Sequence, residues 1–322
     1  MKKNIYVTVL SLLLVFNATI CKAQFSKSES FAKDKKMLAA STLYVVIDQN
    51  AHDNNTEYAK IFEENWKYSK IQIIEPKEVG NYLKEGNYFF TLSVTYEKGF
   101  DFDKPAAFLF FNYNLWTPNP AYLKKIKRKN DTDMEIDFSS LAFTIASINL
   151  SFDKSQSFKI EDVLKGEYFG NGYPLYTGLG IFKNYIQGFQ RFFEDNRSHY
   201  FRTITYSNPK EIKKLKNEIL YVPTSILVDN SGITFNNYKK NKKPPLKASV
   251  LFADYIGKYQ VVSLKELNEK ILNSEEAIYY ISHAEDVTVT NSKTGEIIFG
   301  QTLASTSTAL NEMMDIMEED DK

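Results

Sequence analysis

Residues 70–83, KIQIIEPKEVGNYL, return 188 positions later as residues 258–271, KYQVVSLKELNEKI. Four of the fourteen positions are identical and four more exchange one aliphatic side chain for another. In each copy a short apolar run leads directly into a helix start. Glu75-Pro76 puts proline at the first helical position, and Ser263 with Glu266 spells a capping box. Each copy therefore reads as a strand feeding a helix. The flanks repeat as well: Leu43-Tyr44-Val45 precedes the first copy and Leu220-Tyr221-Val222 the second, while Tyr88-Phe89-Phe90 follows one and Ile278-Tyr279-Tyr280 the other. A period this long belongs to a duplicated domain and not to a solenoid, whose units run roughly 20–50 residues.

The expected fold is α/β: two related domains made by internal duplication, each a mixed sheet flanked by helices, joined by a helical connector. In the first domain, residues 41–155, a β-branched run at 42–47 is followed by Tyr58, Ile61, Phe62 and Trp66 at the spacing of one helical stripe. Strands alternating with helices imply right-handed crossovers and a mainly parallel or mixed sheet. Residues 107–115 and 141–152 then read as two antiparallel additions, with 116–137 between them as a solvated loop. Residues 156–208, rich in glycine and aromatics, have no counterpart in the other half and carry a connector helix over 181–194. The second domain spans 209–308 and ends in a hairpin turning at 291–295. Residues 24–40 read as a flexible lead or a short helix and 309–322 as an acidic terminal helix or tail.

Residues 1–23 have the charged start, apolar run and small-residue end of an export signal. The apolar run is well short of the roughly 20 residues that a membrane span needs. Cys21 is the one cysteine of the chain. A rival reading makes it the acylated cysteine of a lipoprotein, but bulky Ile20 stands where a small side chain belongs. Cleavage at Ala23 would leave no cysteine, which excludes disulfides, thiol catalysis and Cys-ligated zinc. It would also remove Lys2, Lys3 and Lys22 from a chain with 40 basic and 40 acidic residues. A slightly acidic remainder argues against a nucleic-acid partner.

No recognised catalytic spacing occurs. His52, His199 and His283 are far apart in sequence, and neither a GxSxG elbow nor a phosphate-binding glycine loop is present. Asp131, Asp133, Glu135 and Asp137 alternate as calcium ligands do but lack the central glycine. No cofactor or metal is implied. The 21 tyrosines and 24 phenylalanines are the compositional excess. Tyr113 and Trp116 near a strand end, and Tyr173 and Tyr176 in the glycine-rich connector, are the candidate contact residues, because loop-borne rings bury much area at low entropic cost. Two basic runs, 124–129 and 239–243, read as solvated.

The order LYVVID, EYAKIFEENW, KIQIIEPKEVGNYLKE resembles the small α/β domains of exported envelope proteins of the TolB N-terminal and CsgG types. That resemblance implies a noncatalytic envelope role, docking to proteins or to wall carbohydrate. The expected function is accordingly an exported binding or assembly protein, periplasmic or extracellular. The alternative is a glycan-acting hydrolase with two carboxylates in a cleft between the domains.

Overall fold

The computed structural model describes residues 25–27, 31–47, 55–101, 104–129, 142–150, 178–194, 205–227, 246–283, 286–302 and 305–319. The first half runs β1 (Phe25–Lys27), α1 (Phe31–Ala39), β2 (Thr42–Val46), α2 (Asn55–Asn65), β3 (Lys70–Ile74), α3 (Val79–Tyr82), β4 (Tyr88–Asp101), β5 (Lys104–Pro118), α4 (Pro120–Lys129), β6 (Ala142–Leu150) and α5 (Leu179–Glu194). The second runs β7 (Thr205–Ser207), α6 (Pro209–Ile212), β8 (Ile219–Pro223), α7 (Ala248–Leu251), β9 (Lys258–Val262), α8 (Leu264–Asn273), β10 (Tyr279–His283), β11 (Asp286–Asn291), β12 (Glu296–Thr302) and α9 (Thr306–Glu318). The fold is α/β with two mixed sheets.

The two sheets have the same strand order. One reads β1-β6-β5-β4-β2-β3, the other β7-β12-β11-β10-β8-β9, and every neighbouring pair keeps its parallel or antiparallel sense. Register agrees too. Leu43 lies between Ile71 and Tyr88, and Leu220 lies between Tyr259 and Tyr279, so 88–90 answers 279–281 and the flank match to 278–280 is one residue out of step. The register of β5 on β6 shifts between Leu115 and Trp116, and that of β11 on β12 between Val289 and Thr290. Those two sites are equivalent, since Leu115 pairs with Phe90 and Val289 with Ile281.

Three further expectations are refined. Of the two readings for 24–40, the short helix is the one seen: α1 buries Leu38 completely, and ahead of it β1 pairs with β6. Lysines on the other faces of α1 hide that anchor in the sequence. The loop expected over 116–137 starts instead with strand and helix, because β5 runs to Pro118 and Asn119 caps α4, accepting the Ala121 amide at 3.0 Å with Pro120 at the first helical position. Residues 130–137 lie outside the described residues. Finally, α5 is not an unmatched connector. It follows the sixth strand of its sheet as α9 follows the sixth strand of the other. Phe182, Tyr185, Ile186, Phe189 and Phe193 are buried at the same spacing as Thr306, Ala309, Leu310, Met313 and Met317.

The packing forms five layers. Helices α3 and α4 cover the outer face of the first sheet, where Ile74, Phe89 and Trp116 make a small core. On its inner face Leu43, Val45, Tyr88 and Phe90 meet α1, α2 and α5. The same core continues across α5 into the second sheet through Val262, Leu267, Ile271 and Tyr280. A further core lies beyond, between that sheet and α6, α7 and α9. Aromatic residues fill the shared layer: Phe90 stands edge-on to Phe62 at 4.9 Å and to Phe189 at 5.6 Å, and Trp66 edge-on to Phe193 at 5.6 Å. Edge-to-face pairs add about 0.5–1.5 kcal/mol each beyond the area they bury.

A core shared by both sheets predicts one unfolding transition. Trp66 and Trp116, the two tryptophans of the chain, both belong to the first half. Their fluorescence and the far-UV circular dichroism of the whole chain should therefore change at the same urea concentration. Phe189→Ala should move both together, with a loss of about 3–5 kcal/mol. Separated transitions would contradict the continuous core.

Candidate functional site

The most elaborate polar chemistry among the described residues lies along the seam between the halves, where α5 meets α8 and the β11–β12 turn. A helix start leaves amide groups without internal partners. Here Asn268 of α8 supplies one, its Oδ1 accepting the Ile181 amide at 2.9 Å while its Nδ2 donates to the Leu264 carbonyl at 2.8 Å. One turn on, Asn184 Nδ2 donates to the Ser292 carbonyl at 2.7 Å. Two turns on, Arg191 Nε donates to the Thr294 carbonyl at 3.2 Å, and its guanidinium faces Glu296 at 3.5 Å. From the first half, the Lys67 and Tyr68 amides donate to Gln190 Oε1 at 2.7 and 2.9 Å. The helix is thus held from both sides.

Close approach requires glycine at two points of this seam. A Cβ on Gly180 would stand 2.7 Å from the Asn268 carbonyl oxygen. Gly295 has φ +65°, and a Cβ there would stand 2.6 Å from the Asn184 carbonyl oxygen. Only glycine meets both demands at the turn, the positive φ and the contact.

An acid–tyrosine pair occurs in both halves. Glu211 of α6 accepts hydrogen bonds from the Tyr279 hydroxyl at 3.1 Å, from Asn291 Nδ2 at 3.3 Å and from Lys214 Nζ at 2.6 Å. Burial works to raise its pKa, but Lys214, Tyr279 and Asn291 outweigh that and hold it below the ordinary value. Tyr279 is pushed up by burial and by the Glu211 charge. In the first half, burial and the nearby Asp34 carboxylate push Tyr88 up to about 12. Asp34 precedes Leu43 by nine positions, as Glu211 precedes Leu220, so the pairs are equivalent. Extending the 43–45/220–222 match backwards without gaps would have found them, since Lys33, Lys36 and Leu38 align with Lys210, Lys213 and Leu215. Both tyrosines keep their protons at neutral pH, and the hydrogen bonds of Glu211 to Tyr279 and Asn291 tie the first helix of the second half to its sheet.

A groove of about 330 Å³ opens where β2, β3 and β4 begin, lined by residues that include Ser41, Thr42, Tyr44, Lys70 and Asn87. Its polar groups are partly engaged: Ser41 Oγ donates to the Met37 carbonyl at 2.7 Å and Asn87 Nδ2 to the Tyr82 carbonyl at 2.7 Å. Ligands of open parallel α/β sheets sit at the carboxyl ends of the strands, the opposite edge from this groove.

For two of the candidate contact residues, packing rather than exposure is what the structure shows. Tyr113 is 7% exposed, stacked on Phe90 at 5.3 Å, and Trp116 is 1% exposed, stacked on Phe89 at 4.5 Å with its indole N–H donating to Thr91 at 3.0 Å. Both rings pack inside cores, because the strand carrying them continues past Trp116 and its sheet is covered on both faces. Tyr173 and Tyr176 lie outside the described residues, as do His52, His199 and residues 239–243. The space between the sheets, where the alternative reading places a carboxylate pair, is filled by α5. Glu296, which reaches that boundary, is engaged with Arg191 and with Asn208 Nδ2 at 2.9 Å. Among the described residues, no three His, Cys, Asp or Glu side chains converge as metal ligands, and no helix is long and apolar enough to cross a membrane.

Fold and seam together define an α/β protein with two mixed sheets of equal strand order, whose halves are locked through one helix. No family model, characterised protein or solved structure matches the chain.

Asn268→Ala should destabilise the protein by about 1–2 kcal/mol, because it removes an external cap and leaves the Ile181 amide buried without its acceptor. A urea midpoint unchanged within error would show that the cap contributes nothing. Glu211 gives a signed pH dependence. Its folded-state pKa is depressed, so its contribution is present above the unfolded value of about 4.3 and is lost as pH falls through the folded value. Glu211→Gln should therefore cost about 1 kcal/mol at neutral pH, and the gap from the parent protein should close on acidification below that range. A gap that widens toward acid would reverse the assignment.

Proposed function

We infer that the protein is an exported, noncatalytic binding or assembly component of the cell envelope, built from one α/β unit copied in tandem. Equal strand order, equal register, an irregularity at the same place and a matching acid–tyrosine pair all support the copying. The observation that carries the functional reading is the seam. One sheet face of the second half already receives a helix from outside its own strand set, through a shape-matched glycine turn and directed hydrogen bonds. A fold that docks a foreign helix on its sheet face is suited to protein contact. Locking two copies into one rigid body also presents their surfaces at a fixed spacing, which lowers the ordering cost of binding a partner that spans both. Either an envelope protein or wall carbohydrate fits this reading, and the groove beside Lys70 is an accessible place for such a contact.

The test is photo-crosslinking in growing cells, with the reactive group placed at position 42 in the groove and, as a control, at exposed position 60 on α2. The expected result is a discrete envelope-fraction adduct from position 42 and none from position 60. Recovery of the protein in the cytoplasm with residues 1–23 still attached would overturn export. Turnover of a glycan substrate by the purified protein would overturn the noncatalytic reading.

A further inference from the structure

Among the described residues, three of the large apolar side chains most open to solvent lie on one short segment of the second half: Val250 at 66% exposure, Ile256 at 46% and Leu246 at 44%. All three are on or beside α7. A surface of this kind is normally occupied or functional. Its equivalent in the first half is built otherwise: α2 runs for 11 residues and buries Phe62, where α7 has 4 residues.

The corner is rigid beneath its apolar rim. Phe252 is buried and stacks on Tyr259 at 4.6 Å, and Tyr255 stands edge-on to Phe252 at 5.8 Å. Gly257 lies so close to the preceding 3-10 turn that a Cβ would meet the Leu215 carbonyl oxygen at 2.5 Å. That contact brings the lysine-rich turn Lys213–Lys216 alongside Ile256. Over residues 209–219 and 246–258 there are six lysines and three acids, in a chain whose basic and acidic totals are equal. Lys214 is taken by Glu211, while Lys216, Lys247 and Lys258 are exposed around the aliphatic side chains.

We propose that this corner is a membrane-contact site that rests on the surface of an anionic bilayer, with Val250, Ile256 and Leu246 entering the headgroup–acyl boundary and the lysines meeting lipid phosphates. Aliphatic side chains need an apolar phase, and lysines around them need negative charge at its border. An anionic lipid surface offers both at this geometry. The contact is peripheral and reversible, since it buries a few side chains and inserts no helix. It extends the envelope reading and is measured separately from it, because vesicle binding uses purified protein and no partner.

Purified protein, residues 24–322, is mixed with vesicles of phosphatidylcholine alone or with an equal share of phosphatidylglycerol, and the bound fraction is read by sedimentation. The expected apparent affinity is about tenfold or more higher for the anionic vesicles, falling as salt is raised. The pair Val250→Asp with Ile256→Asp should lower it by about tenfold or more, and so should the triple change Lys216→Glu, Lys247→Glu, Lys258→Glu. All five positions are at the surface, and unchanged circular dichroism and melting establish that the variants fold. Protein that stays in the supernatant at every lipid concentration overturns the proposal. So does pelleting that either variant retains in full, or a cross-link from position 250 to an envelope protein in cells in place of lipid.

Discussion

The structure depends on the burial of α5 from both sides. Ten of its sixteen residues are buried, and they divide by size. Phe182, Ile186, Phe189 and Phe193 fill the space above the first sheet, while Gly180, Asn184 and Gly188 face the second half, where backbone approaches backbone. Large residues on one side maximise apolar burial, and small ones on the other allow hydrogen bonds across the seam that a thicker helix surface would hold apart. Without α5 and α8 over them, the second sheet's Val262 and Tyr280 would face water. The two halves are consequently one folding unit in energetic terms even though each has its own complete sheet.

The same geometry makes the two outer faces unlike the seam. The inner face of the first half packs on the outer face of the second, a head-to-tail relation. The two remaining faces are built differently. On the outer face of the first sheet, Phe89 and Trp116 stack where the second sheet has Tyr280 opposite Thr290. The bulk of that pair, with Tyr122 and Leu123 of α4 against it, occupies the side that α5 takes up in the second half. At the other end, aligning the buried stripes of α5 and α9 puts Thr308, Glu312 and Asp315 where α5 carries Asn184, Gly188 and Arg191. Polar and acidic side chains there favour water over another sheet, as the terminal units of repeat proteins do.

Much of this was legible in the chain. The 70–83/258–271 match gave strand and helix together, because lysine and glutamine mark the exposed positions of an edge strand and aliphatic residues mark the buried ones. The flanking match fell one residue short of the true register, in which Tyr88 answers Tyr279. The β11–β12 hairpin was readable from its glycine turn. The relation of α5 to α9 was not, since the two helices share spacing and not residue type: aromatics in one, alanine, leucine and methionine in the other. The difference is physical. The first helix must fill a wide layer between two sheets, and the second covers one face and then meets solvent.

The candidate site was the least legible part, for a reason that Tyr113 and Trp116 make concrete. Aromatics near prolines suggest an exposed loop, yet a strand delivers alternate side chains to opposite faces. Tyr113 and Leu115 enter the layer shared with α5, and Trp116 enters the outer core. Burial of both classes is possible only because helices cover both faces of the sheet, which no local pattern announces. Surface features that do stand open, such as the Lys70 groove and the Val250 corner, depend on where a helix ends or is shortened. A binding surface of that kind is written in what a segment omits relative to its counterpart in the other half, and it emerges only when the halves are compared position by position in space.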